Sequence, residues 1–211
     1  MSKSLGNFVD LERLEKSRAV IGLDGLRYFL TTQGPLDIAD RDFTDERVVE
    51  VYNAELANLF GNLVQRVTTL VGRFADGIEP QPGLLEPIDE WLRAQADALP
   101  ERVAACVERL SLDQAAQAIM SFGTAANRYA EETAPWQLAR AGNAERLATT
   151  LSHLVEAARL AAWHLWPIIP DAAGEAHRRL SGHDVVSGLG TFGAVQPGAR
   201  VTPGPPLFPR V

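Results

Sequence analysis

The chain has 211 residues, 46% hydrophobic and 22% charged, with a formal net charge of −7; it can bury a sizeable core, and its charge argues against indiscriminate binding to polyanions. Its one cysteine, Cys106, excludes an internal disulfide framework and a multi-cysteine zinc site. No apolar run approaches the roughly 20 residues that span a bilayer, and Asp10, Glu12 and Glu15 stand where a secretory leader would be basic and then apolar, so a cytoplasmic protein is expected.

The opening MSKSLGN (1–7) reads either as a polar terminus or as part of a nucleotide-handling loop. Residues 10–18 and 24–32 have the pattern of two short helices, separated by Gly22 and stopped by Gly34-Pro35. Thr44, followed by Asp45 and Glu46, is a helix N-cap with acids where the helix dipole favours them. From there Tyr52, Leu56, Leu59, Leu63, Val67, Leu70 and Phe74 recur at steps of four and three. That spacing predicts one helix of about 30 residues, roughly 45 Å long. A Pro/Gly-rich break at 76–87 precedes two expected helices over 88–98 and 101–110. Ser111-Leu112-Asp113-Gln114 reads as a capping box for the next stripe, Ala115, Ile119, Phe122, Ala126 and Tyr129. Leu147, Leu151, Leu154, Ala158, Ala161 and Leu165 form a third long stripe closed by Pro167, and a short helix is expected near 171–180. Residues 181–211, rich in glycine and proline, read as an extended tail wrapping the surface. The fold class is therefore mainly all-α, a helix bundle of antiparallel stripes.

Motifs for catalysis are scarce. GLGTFG at 188–193 fits G-x-G-x-x-G by letter, but Ala194-Val195-Gln196-Pro197-Gly198 follows it and cannot open the helix that a dinucleotide site requires. His153, His164, His177 and His183 lack zinc-ligand spacing, so no metal site is expected, and His164 reads as a satisfied helix histidine. Glu131 and Glu132 read as a solvated helix end before a Thr-Ala-Pro turn. No nucleophile–base pair or P-loop is recognisable. What remains is a polar row, Asn58, Asn62 and Arg66, four apart beside the apolar stripe. Asn and Arg one turn apart can address the edges of unpaired bases, although the spacing by itself favours a solvated helix face. Trp136 follows Pro135 outside the stripes; it reads as a core-edge ring or as a platform on which a base stacks. Arg66, Arg73, Arg128 and Arg140 are candidates for a local basic cluster.

Several of these segments together resemble the C-terminal part of the methionyl-tRNA synthetases, class I aminoacyl-tRNA synthetases. MSKSLGNFVD resembles that family's K-M-S-K-S signature loop without its leading Lys, and LRYFL and DFTDE its stem-contact region. YNAELANLFGNLVQR is similar to the first long helix of the family's anticodon-binding bundle, NRYAEETAPWQLAR to its anticodon-facing segment, and PGPPLFPR to the tail that ends its core. The resemblance implies a signature loop and stem-contact-like segment over 1–43, a helical anticodon-binding domain over 44–180 and an extended tail over 181–211. It implies that Asn62 and Arg66 hydrogen-bond anticodon bases and that Trp136 stacks on the first base of CAU in tRNA(Met). Lys3 and Ser4 match signature-loop positions that help stabilise ATP phosphates during methionine activation, a task suited to a lysine point charge.

The family's nucleotide-binding fold and methionine pocket lie upstream of that loop. This chain alone is therefore expected to be inactive and to hold no cofactor, ATP being implied for the complete enzyme with a catalytic-domain polypeptide. The expected partner is the anticodon stem-loop of tRNA(Met), with no membrane, and the expected state is a monomer. The competing readings are a helical scaffold that contacts protein and no longer binds RNA, and a module that delivers tRNA to a non-translational pathway.

Overall fold

A computed structural model of the chain describes residues 10–34, 43–185 and 188–211; Lys3 and Ser4 lie outside the described residues. In chain order the elements are α1 (Leu11–Gln33), α2 (Asp45–Val51), a π-wound segment (Tyr52–Gly61), α3 (Asn62–Phe74), α4 (Pro87–Asp97), α5 (Leu99–Glu108), α6 (Leu112–Thr133), α7 (Pro135–Arg140), α8 (Ala144–Leu165) and α9 (Pro170–Ser181). Among the described residues the extended pairing is limited to one antiparallel bridge, Ile78 with Arg200. The fold is mainly all-α, as the periodicities require.

Gly22 divides α1, but more abruptly than the sequence suggests. The two helical halves meet at this one residue, whose φ of 74° and ψ of 174° give a kink rather than a loop. A side chain there would be strained by the left-handed φ, which costs glycine little. Asp10 and Thr44 cap their helices as the residue types require, accepting from the N–H groups of Arg13 at 2.9 Å and Arg47 at 3.2 Å.

From Asp45 to Phe74 the backbone is one continuous rod, because the residues at each junction keep right-handed helical angles. Its middle is wound wider than an α-helix: the Asn62 N–H reaches back to the Ala57 carbonyl, five residues away. Tyr52, Leu56, Leu63, Val67 and Leu70 of the predicted stripe are buried, and Leu59 and Phe74 pack partly buried against the core.

The side-by-side pairs Leu59 with Gly123 and Arg66 with Glu131 show that this rod and α6 run in the same direction. The expectation of antiparallel neighbours fails here because α4 and α5 carry the chain back before α6 begins. It holds for α6 and α8, where Tyr129 stacks on His153 and Ala115 shares a cavity wall with His164. α6 starts where expected, but Ser111 makes no side-chain cap; its own N–H instead donates to the Cys106 carbonyl at 2.9 Å. A reciprocal bond of the capping kind appears at α4, where the Glu86 N–H donates to Asp89 Oδ2 at 2.8 Å.

α8 is the central helix and is buried on nearly every side, charged residues included. Arg159 is completely buried; it pairs in bidentate fashion with Glu156 at 2.7 and 2.8 Å and donates to the carbonyls of Leu189 and Thr191. The Gly193 N–H completes the clasp by donating to Glu156 Oε2 at 2.6 Å. GLGTFG is therefore the lid of a buried ion pair. Gly190 is required by close approach, since a Cβ there would lie 2.6 Å from the Trp163 ring. Farther along, the tail pairs with Gly77 and Glu79 through Gly198, Ala199 and Val201, and Phe208 packs edge-on against Tyr52.

Glu79 lies beneath this tail with its side chain buried, Oε1 accepting from Ser152 Oγ at 3.2 Å and Oε2 unpartnered among the described residues. Burial, with Glu156 nearby, pushes its carboxyl up to about 7. Because the folded value lies above the ordinary 4.5, the stabilising contribution is complete below pH 4.5 and is lost as the pH rises through 7. The difference corresponds to about 3 kcal/mol. Glu79→Gln should remove that part of the stability–pH profile and melt higher than the native chain at pH 8. The buried His164, held down to about 4 by burial, titrates in the opposite sense, losing stability as the pH falls from 6.5 towards 4. Thermal melts of both proteins at each pH isolate the Glu79 contribution; parallel profiles would refute it.

Candidate nucleic-acid interface

The rod and α6, lying parallel, present one edge of the bundle on which the polar row sits. Asn58 is exposed, but its Oδ1 accepts from Arg210 Nε at 2.8 Å, so the tail occupies it. Asn62, one turn on at the junction of the π-wound segment and α3, is exposed. Arg66, a further turn along, is 22% exposed and its guanidinium lies over the Trp136 ring, 5.0 Å from the centroid. Asn62 and Arg66 therefore share a face, and Trp136 comes to that face from a different element.

Pro135 opens α7, and the preceding Ala134 adopts a left-handed conformation with φ 43°. That turn reverses the chain at the end of α6 and sets Trp136 beside Arg66. The ring is half-buried and does not join the core cluster, so the core-edge reading of Trp136 is too strong. Stacking on arginine supplies its cover, a cation–π contact of the kind worth about 0.5–1 kcal/mol at exposed sites.

Glu131 lies at a solvated helix end, as its sequence-based reading has it, and gains a partner there. Its carboxylate is 65% exposed, yet Oε1 accepts from Arg66 Nη1 at 2.7 Å and fixes the guanidinium over the ring. Sixty-five positions separate the two in the chain, so no local pattern announces the pair. Glu132 does behave as a helix-end acid, paired with Arg128 one turn earlier at 2.6 Å. Of the arginines expected to cluster, Arg66 lies over Trp136, Arg73 over Phe74 and Arg128 over Trp91, each on its own ring.

Behind this face a buried triad fixes the relation of α4, α6 and α8. Asp89 is fully buried and accepts from Arg146 Nη1 at 2.5 Å, Arg146 Nη2 at 3.0 Å and the Tyr129 hydroxyl at 2.5 Å. Burial pushes the Asp89 carboxyl up, but the bonds from Arg146, Tyr129 and the Glu86 backbone outweigh it and hold it below its ordinary value. Tyr129 is two residues before Glu131, so the triad also sets the azimuth at which Glu131 meets Arg66. Among the described residues no group of three or more His, Cys, Asp or Glu side chains could hold a metal. His164 is buried on α8 and bonds the Gly190 backbone, with Nε2 unpartnered among the described residues, so the satisfied helix histidine expected there is met at one ring nitrogen. The site thus offers an exposed amide, a guanidinium and an indole face, a set suited to unpaired bases.

Residues 79–210 match the family described as the anticodon binding domain of methionyl tRNA ligase, and residues 1–68 match the tRNA synthetases class I (M). The methionine–tRNA ligase of Thermotoga maritima is 34% identical over 216 aligned residues, covering 100% of this chain and 33% of that protein. That of Mycobacterium tuberculosis is 36% identical over 212, covering 99% of this chain and 39% of that protein. The chain is also similar to the crystal structure of apo Mycobacterium tuberculosis methionyl-tRNA synthetase, with a TM-score of 0.86, 32% identity and coverage of 96% of this chain and 41% of that one. For the same synthetase with methionyl-adenylate the TM-score is 0.83 at 33% identity, covering 100% of this chain and 41% of that one. The chain thus spans 33% to 39% of the length of these curated relatives. Matched over residues 79–210 by that family's model, the chain belongs to the family of methionyl-tRNA ligase anticodon-binding domains.

Proposed function

We propose that this domain recognises the CAU anticodon of tRNA(Met) in support of tRNA methionylation. In this reading Asn62 and Arg66 hydrogen-bond anticodon bases and Trp136 stacks on the first of them. The observation that carries it is the Arg66–Trp136 pair beside an exposed Asn62: an indole outside the core cluster, on one face with a guanidinium and an amide. The catalytic step belongs to a nucleotide-binding polypeptide that holds ATP, with Lys3 and Ser4 supplying the signature-loop groups that meet its phosphates. The domain itself works as a cytoplasmic monomer without a cofactor.

The test is a titration of the chain with anticodon stem-loops bearing CAU or another anticodon, repeated over a range of salt. Preference for CAU is expected, with a shallow log–log salt slope, since each phosphate met by an arginine contributes about 0.7 for single-stranded contacts. A steep slope indifferent to the anticodon would mean ordinary polyanion binding. Absence of binding would leave the chain a helical scaffold.

A further inference from the structure

Residues 208–211 are fastened to the rod beside the polar row. The Tyr52 hydroxyl donates to the Pro209 carbonyl at 2.9 Å, and Phe208 packs edge-on against the same ring. Asn53 holds Val211 through both ends of its amide: Nδ2 donates to the Val211 carbonyl at 2.7 Å, and Oδ1 accepts from the Val211 N–H at 3.2 Å. Between these anchors Arg210 Nε donates to Asn58 Oδ1 at 2.8 Å. Asn53 and Asn58 are five apart and in an α-helix would lie about 140° apart. The i→i+5 winding of the Tyr52–Gly61 segment turns them onto one side, so both amides meet the tail. The place of Asn58 in the row is thus taken by a guanidinium. Arg210 is exposed, and among the described residues Asn58 is its one polar partner, whereas Glu131 and Glu132 face the charges of Arg66 and Arg128.

With Nε engaged, the two terminal nitrogens of Arg210 form a planar fork, a shape that matches two oxygens of a phosphate. The base that takes an arginine fork is guanine, which CAU lacks. We propose that Arg210, held by Asn58, binds a backbone phosphate of the loop strand whose unpaired bases meet Asn62, Arg66 and Trp136. The order Asn58, Asn62, Arg66 along the rod puts this phosphate on the side of Asn62 away from Trp136. The proposal rests on the anticodon reading and deepens it: the bases select sequence, and this contact fixes the register of the strand without reading it. Asn58 is then a positioning residue. Because its amide and the anchors at Tyr52 and Asn53 hold the arginine beforehand, less side-chain entropy is lost on binding.

The test titrates the full chain and its Arg210→Gln variant with stem-loops bearing CAU or another anticodon, at salt concentrations from about 50 to about 200 mM. The glutamine side chain keeps an N–H donor for Asn58 and removes the charge; thermal melts confirm that the variant is folded. Loss of one single-stranded phosphate contact lowers the log–log salt slope by about 0.7. Taking the contribution as nil near about 1 M, affinity should fall about eightfold at about 50 mM salt and about threefold at about 200 mM. The fall should be the same for both anticodons, leaving the preference for CAU unchanged. Arg210→Lys should keep the native slope. Neutral methylphosphonates placed one at a time in the loop strand locate the partner: at one position the native chain should lose affinity and Arg210→Gln should lose no more. An unchanged slope in folded Arg210→Gln overturns the proposal, as does a loss confined to CAU or a methylphosphonate effect that adds to the substitution at every position. If the native chain prefers CAU while any of these holds, only the phosphate contact falls. If the native chain prefers no anticodon, both readings fall.

Discussion

Asp89→Ala should destabilise the domain by about 3–5 kcal/mol, the range found when one partner of a buried ion pair is removed. For a chain of this size that lowers the melting temperature by roughly 6–20 °C. The cause is what remains behind. Arg146 keeps only its longer contact to Glu86, at 3.2 Å, and the buried Tyr129 hydroxyl loses the carboxylate it donates to. Arg178→Ala is the contrasting change. Arg178 pairs with Glu175 and Asp184 at 3.1 Å, but it is half exposed, and exposed pairs contribute about 0–1 kcal/mol. Asp89 also gives the triad an acid dependence. Its folded value is depressed, so its stabilisation is present above the ordinary carboxylate range and is lost as the pH falls through the folded value. Thermal denaturation of the two variants beside the native chain checks the difference; equal melting points would show that the triad contributes no more than a surface pair.

Trp136→Ala should weaken binding of a CAU stem-loop by about 5- to 150-fold, the loss expected from removing a base-stacking platform worth about 1–3 kcal/mol. Stability should change little, because the ring lies outside the core cluster and stacks on the Arg66 guanidinium. A ring packed as a core residue would instead cost about 3–5 kcal/mol on truncation. Arg66→Ala is the companion change: it removes a base-reading fork and frees Glu131, whose exposed carboxylate water can satisfy. Both variants should erode the same preference for CAU over another anticodon. An unchanged preference in a folded Trp136→Ala protein would remove the indole from the recognition site and favour the scaffold reading.

Much of the helical order is local in origin, and local rules expose it. The stripe from Tyr52 to Phe74, the stripes of α6 and α8, the Thr44 cap and the break at Gly22 each depend on residues within a few turns of one another. Side-chain periodicity and backbone preference therefore disclose them. Asn62, Arg66 and Trp136 were legible as residues able to meet bases, and their assignment to the anticodon came from resemblance to a family.

The sequence by itself determined which stretches are helical and which face of each is apolar. Only the tertiary structure decided what the polar side chains do. It matched Glu131 to Arg66 and Asp89 to Arg146, 65 and 57 positions apart, ran the rod parallel to α6, and made GLGTFG the clasp over Glu156 and Arg159. The physical reason is that burial of apolar stripes is insensitive to partner identity, whereas a hydrogen bond or ion pair needs two groups brought together within about 3 Å. Helix packing alone supplies that distance when the groups lie far apart in the chain.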